Sequence, residues 1–216
     1  DWSSDVCSSD LMVVVVSLML GCDSDYTQDD SSLNSALSSD TAITPNITPS
    51  VSVKSGSFKD SAVAGINYVS GGETGTTDSD GTFKYEEGGT VTFSVGGVVI
   101  GSGPPSAEMT PVDIVDGGSE DNQAVVNIAR FLQTLDDDGD PTNGIGISST
   151  TSEAIKTTGK SIDFNVDATS FSENTDVLDV VQKVATQTGR EVELVSETKA
   201  KSHLQNTVMQ VKTKKG

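Results

Sequence analysis

Residues 82–101, TFKYEEGGTVTFSVGGVVIG, alternate apolar and polar side chains and are broken by glycine pairs. Phe83 and Tyr85 fall on one face, as do Val91, Phe93 and Val95, with Thr90, Thr92 and Ser94 opposite. A period of two is the signature of a half-buried strand, because successive side chains of an extended chain point to opposite sides. The glycine pair Gly88-Gly89 and the stretch Asp78-Ser79-Asp80-Gly81 supply tight turns, the last with a residue able to take a positive φ. Upstream, Val51 and Val53 alternate, Phe58 closes a short segment, and Ile66 and Tyr68 alternate again. Four to six antiparallel strands are expected over residues 51–101. Aromatic residues make up only 5% of the chain and glycines number 21, which suits a β-rich module with a modest core.

After a connector at 102–119, rich in proline and glycine and with a short strand expected at 109–115, the period changes. In residues 121–136 the positions Val125, Ile128, Ala129, Leu132 and Leu135 share one helical face, with Asp121 or Asn122 placed to cap it. A second helix is expected over 175–188, with Val177, Val180, Val181 and Val184 inward and Gly189 past its end, and a third over 196–208. Residues 152–157 suit a short helix, and the alternation of Ile162, Phe164 and Val166 suits a short strand. The expected fold class is α+β: an antiparallel β-sandwich-like module over 51–118, then a mainly helical region of about three helices over 119–210, packed on it. The basic end, 211–216, is expected to fray.

The first fifty residues concern address rather than fold. Residues 11–20, LMVVVVSLML, are too short for a bilayer, which takes about 20 apolar residues, but have the length of a secretory signal's apolar region. The run ends in Leu18-Met19-Leu20-Gly21-Cys22, which resembles the lipobox of bacterial lipoproteins. That resemblance implies a diacylated Cys22 as first mature residue, and 12–22 then reads as a truncated signal. Two or more acyl chains anchor stably where one does not. The acidic leader DWSSDVCSSDL, residues 1–11, occupies the place of a basic one and resembles a translated sequencing adapter; an unusual natural leader is the alternative. Residues 23–50 are rich in Ser, Asp, Thr and Asn, too poor in apolar residues to order themselves, and are expected to be a disordered tether.

A further resemblance rests on Phe58, Asp60, Ser61, Val63, Gly65, Ile66 and Tyr68, then Gly75, Thr77, Asp78, Gly81, Phe83, Tyr85 and Gly88, then Val91, Phe93 and Gly96. This pattern is similar to the N-terminal module of uncharacterised surface lipoproteins of Gram-negative bacteria. The G-x-T-D-x-x-G-x-F-x-Y portion is also similar to transthyretin-like and Cna-B-like β-sandwich modules. The resemblance implies surface display and sandwich-like structure, and no known activity.

The densest chemistry lies at 136–144, DDDGDPTNG, where Asp136, Asp138 and Asp140 alternate and Asn143 follows. Hard oxygen donors at that spacing suit calcium, which takes six to eight of them. The loop is not an EF-hand, since Pro141 stands where a glycine is needed and Ile147 where the closing glutamate belongs. The competing reading is a solvated turn. Asp78 and Asp80 read as a turn bonded to its own backbone. His203, the chain's one histidine, would have to serve any Ser-His-Asp site, but no G-x-S-x-G elbow accompanies it, and a surface or helix-packing role is expected. The glycine-rich stretches lack the lysine and helix of a phosphate loop. Five of the 13 basic residues, Lys199, Lys201, Lys212, Lys214 and Lys215, cluster near the end. A formal net charge of −19 argues against nucleic acid as a partner.

These features describe a lipid-anchored protein of the bacterial cell envelope, at the outer membrane and cell surface or facing the periplasm. Its expected role is non-enzymatic: a surface binding or adhesion-type module, calcium-stabilised, meeting the membrane through Cys22 and taking an extracellular polysaccharide or protein ligand. The alternative is an N-terminal accessory domain of a larger secreted enzyme.

Overall fold

The computed structural model describes residues 51–215; Cys22, the signal and the tether 23–50 lie outside them. In chain order the strands are β1 (Val53–Phe58), β2 (Val63–Ala64), β3 (Asn67–Ser70), β4 (Glu73–Thr76), β5 (Thr82–Glu86), β6 (Val91–Val95), β7 (Val98–Gly103), β8 (Glu108–Met109) and β9 (Ile145–Gly146). The helices are α1 (Gln123–Leu135), α2 (Ser149–Thr158), α3 (Ala168–Glu173), α4 (Thr175–Thr188) and α5 (Glu197–Lys215). A sheet ordered β5-β1-β8 faces one ordered β4-β3-β6-β7, and β2 and β9 form a separate pair. Pairing is antiparallel except for β1 with β8 and β2 with β9.

The alternation read from the sequence sets the inner faces. In β6, Val91, Phe93 and Val95 are buried while Thr92 and Ser94 are half-exposed. Gly96 and Gly97, both with positive φ, turn β6 into β7 in the two-residue loop that matches strand twist. The two sheets meet through aromatic rings: Phe58 lies 4.6 Å from Phe93, and Phe83 packs edge-on to Phe93 at 5.0 Å. Each such pair adds about 0.5–1.5 kcal/mol beyond the area it buries. The acidic turn before β5 is bonded to its own backbone, Asp78 Oδ1 accepting from the N–H groups of Asp80 and Thr82.

The α+β, sandwich-like class is as expected, but the details differ. Seven strands, not four to six, cover 53–103, because β2 and β4 are short pieces with weak patterning. The strand expected at 109–115 ends at Met109; Pro111 lacks an N–H, and Asp113 caps a 3-10 turn over Pro111–Ile114 by accepting from the Thr110 N–H and hydroxyl. No strand forms at 162–166. Ile162 and Phe164 are buried as their alternation implied, yet the carbonyls of Phe164 and Val166 accept from Asn127 Nδ2 instead of a neighbouring strand. Five helices stand where about three were expected. α2 realises the short helix read at 152–157, α3 is additional, and the basic end continues α5 to Lys215 with Val211 buried beneath it.

The change of texture near residue 118 does not separate two cores. One apolar cluster runs from Phe58 and Phe93 through Ile128, Phe131, Leu132 and Leu135 of α1 to Val177, Val180 and Val184 of α4. α1 is the hub. Asn122 caps it, its Oδ1 accepting from the N–H groups of Ala124 and Val125, and every residue from 124 to 135 is buried. Its far side holds a second cluster, where Val125 and Ala129 meet Ala200, Leu204 and Val208 of α5. The polar residues of α1 bind irregular chain around it. Arg130, 3% exposed, donates to the carbonyls of Val195 and Ala168, to Asn127 Oδ1 and to Ser172 Oγ, and its guanidinium stacks 5.1 Å from the Phe171 ring centre. Among the described residues no helix is long and apolar enough to cross a membrane.

Candidate functional site

A cleft of about 650 Å³ lies between the four-stranded sheet and α2. One wall is a row across three strands, since Asn67 pairs in register with Thr76 on β4 and Ser94 on β6. Asn67 Nδ2 donates to Thr76 Oγ1 at 3.0 Å. The other wall is α2, whose Ser149, Ser152, Glu153 and Lys156 recur at i, i+3, i+4 and i+7 and therefore share one face. Gly96 lets sheet and helix close on each other, as a Cβ there would sit 2.4 Å from the Ser152 carbonyl oxygen. Lys156 and Glu153 pair at 3.6 Å, so the lining carries hydroxyl and amide groups but no net charge. No ligand was assigned to these residues from the sequence. The only trace is the helical spacing at 149–156, because the walls come from segments as far apart in the chain as Gly65 and Lys156.

The acidic loop does not gather as one set. Asp136, Asp138 and Asn143 line a cavity of about 250 Å³, together with Ala62, Ser79 and Gly144. Asp140 lines a different cavity, beside Lys199 and His203 of α5, and its Oδ1 accepts from the Thr142 N–H and hydroxyl. Asp138 Oδ1 accepts from the Asp140 N–H, and its Oδ2 accepts from Asn143 Nδ2 at 2.9 Å. These bonds hold the Asp138 and Asp140 carboxyls below the usual carboxylate range. Asp137 braces the start of α2, which Ser148 caps, by accepting from the Ser148 N–H and the Thr151 hydroxyl, and it pairs with Arg190 at 3.3 Å. Asp136 differs. It is 2% exposed; Oδ1 accepts from the Gly146 N–H at 2.9 Å, and Oδ2 is buried with no hydrogen-bond partner. Burial, reinforced by the neighbouring Asp138 carboxylate, pushes its carboxyl up to about 6. Among the described residues no three His, Cys, Asp or Glu side chains converge as a metal group.

A third polar cluster pins α5 to the turn after β1. Ser61 is the one residue other than glycine among those described with a positive φ, +60°. Its Oγ lies 3.1 Å from His203 Nε2, and its N–H donates to Thr207 Oγ1. Asp60, fully buried, accepts at Oδ2 from Gln133 Nε2 at 2.8 Å, while Oδ1 has no hydrogen-bond partner and lies 3.7 Å from His203 Nε2. The Asp60 carbonyl oxygen is 3.3 Å from the same nitrogen. A nucleophilic relay sets serine and carboxylate on opposite ring nitrogens. Here all three groups crowd Nε2, an arrangement that ties helix to turn. Burial raises the Asp60 carboxyl to about 7, against the Gln133 amide, and lowers the His203 imidazole. No local pattern marks this cluster, since Asp60 and Gln133 are 73 positions apart.

Comparison with protein-family models, with curated proteins and with solved structures finds no match to this chain.

Proposed function

We propose that the protein is a lipid-anchored module of the bacterial cell envelope that binds, without converting, a neutral polyhydroxylated ligand: a segment of polysaccharide lying in the cleft between the four-stranded sheet and α2. The observation that carries the reading is the chemistry of that cleft. Its size falls in the roughly 300–1,000 Å³ range of ligand clefts, and its walls present Asn67, Thr76, Ser94, Ser149 and Ser152, groups that both donate and accept hydrogen bonds. In a chain of formal charge −19 this lining is balanced, with its one lysine paired to its one glutamate. With no aromatic side chain among the lining residues, affinity rests on hydrogen bonds, and a dissociation constant on the order of 1 mM, about −4 kcal/mol, is expected. A tethered protein at high local density compensates such weakness through multivalency.

Anchoring is supported by the order Leu20-Gly21-Cys22 at the end of the apolar run. Mass spectrometry of the membrane fraction is expected to find a diacylated Cys22 at the mature N-terminus, and Cys22→Ser is expected to release the protein from membranes. A mature N-terminus elsewhere contradicts the anchor. For the cleft, Ser94→Tyr places a ring in the space between sheet and helix from a half-exposed strand position. It is expected to abolish co-sedimentation with insoluble polysaccharide while leaving the melting temperature within a few degrees of the parent. Co-sedimentation equal to the parent's contradicts the cleft as the binding site.

A further inference from the structure

We propose that Asp136, Asp138 and Asn143 form a calcium site at the junction of α1 and β9, and that Asp140 takes no part in it. The reading is independent of any ligand in the polar cleft. Two observations carry it. Asp136, Asp138 and Asn143 face one cavity of about 250 Å³, whereas Asp140 faces another. The Asp136 Oδ2, on a side chain 2% exposed, is buried there without a hydrogen-bond partner.

A buried carboxylate oxygen without a donor is costly, and native structures supply a proton donor or a cation to it. Arg190 donates through Nη1 and Nη2 to the carbonyls of Asp136 and Leu135 and pairs with Asp137, its buried Nε makes no hydrogen bond to Oδ2 or to any other group, and the Gly146 N–H is held by Oδ1. The Asp138 carboxylate lies beside that of Asp136, and Asp137, engaged with Arg190 and the start of α2, and Asn143 line the same cavity; the Asn143 amide oxygen would become a ligand once its nitrogen releases Asp138. Two carboxylates, an amide oxygen and water in a roomy cavity suit calcium, which accepts irregular shells of six to eight oxygens. Magnesium demands a near-ideal octahedron at about 2.0–2.1 Å and is expected to bind more weakly. The ion would join the last turn of α1 to β9, whose Ile145 N–H and Gly146 N–H already hold Ala62 and Asp136.

The test is calorimetric titration of the full chain with calcium after chelator treatment, with melting temperature measured in parallel. The parent is expected to bind one calcium and to melt at a higher temperature with it. Asp138→Asn, an exposed change, is expected to weaken binding at least ~10-fold, the smallest loss typical of disturbing even a ligand's own supporting bond. Asp136→Asn is expected to do the same and to abolish the thermal shift. Asp140→Asn is expected to bind like the parent. The proposal is overturned by absence of both heat and thermal shift in the parent, by undiminished binding in Asp138→Asn, or by a loss in Asp140→Asn as large as that in Asp138→Asn. Should Asp136→Asn fail to fold, the Asp138 and Asp140 pair decides alone.

Discussion

Asp60→Asn is expected to make the protein more stable at about pH 8 and to flatten its pH dependence. The Asp60 carboxyl is fully buried, and burial lifts it from 3.8 to about 7. Between those values the folded chain holds a proton that the unfolded chain has released. This contribution is therefore complete below about pH 4 and is lost as pH rises through 7. At about 1.4 kcal/mol per unit, the loss is on the order of 4 kcal/mol. His203 acts in the opposite sense: its lowered value favours the folded state above the ordinary histidine range and is lost in acid. In the asparagine variant the amide oxygen still accepts from Gln133, and the nitrogen takes the place of the unpartnered Oδ1, facing His203 Nε2. Urea denaturation across about pH 4–9 reads the effect. An asparagine variant less stable than the parent at pH 8, with the parent's slope retained, contradicts this account of the cluster.

Arg130→Ala is expected to destabilise the fold by at least about 3 kcal/mol, since a single hydrogen bond to a charged group contributes about 1.5–3 kcal/mol and Arg130 makes four. The loss strips the Val195 carbonyl of this donor, leaves the Ala168 carbonyl to the Ser172 hydroxyl and Asn127 Oδ1 to Gln123 alone, and removes the contacts with Ser172 Oγ and Phe171. Arg130→Lys is expected to recover less than half, because an ammonium cannot spread donors over four separated acceptors. The start of α3 at Ala168 and the irregular segment 191–196 depend on this side chain to stay against α1. Hydrogen exchange in the variant should quicken there before it quickens in β6. A loss under about 1 kcal/mol by chemical denaturation contradicts the hub role of α1.

The hairpins were legible because their signal is local. In β6 each side chain's face follows from its own position in VTFSV, and Gly96-Gly97 names the turn that follows. Helix ends were legible for the same reason: Asn122 and Gly189 act within one turn of the helices they bound. The other side of α1 was not. Asn127, Arg130 and Gln133 carry no apolar signal of burial, and are buried because α5 and the connectors cover them from 37 to 73 positions away. The acidic loop was legible as a concentration of carboxylates but not as geometry. A 3-10 turn over Pro141–Asn143 sends Asp140 and Asn143 to different cavities, and nothing in D-x-D-x-D spacing records that. The polar cleft was least legible, since it forms only when α2 meets the row Thr76, Asn67 and Ser94.

The cleft between sheet and α2 is proposed to hold a polyhydroxylated ligand and to leave it unchanged, and this can be read by titrating the isotope-labelled protein with cellotriose, maltotriose and triacetylchitotriose and following its amide chemical shifts. At least one of the three is expected to move the amides of Asn67, Ser94, Gly96, Gly97 and residues 149–156 while the sugar's own spectrum stays constant. Shifts confined to other parts of the chain, no shift with any of the three, or cleavage of the sugar would contradict it.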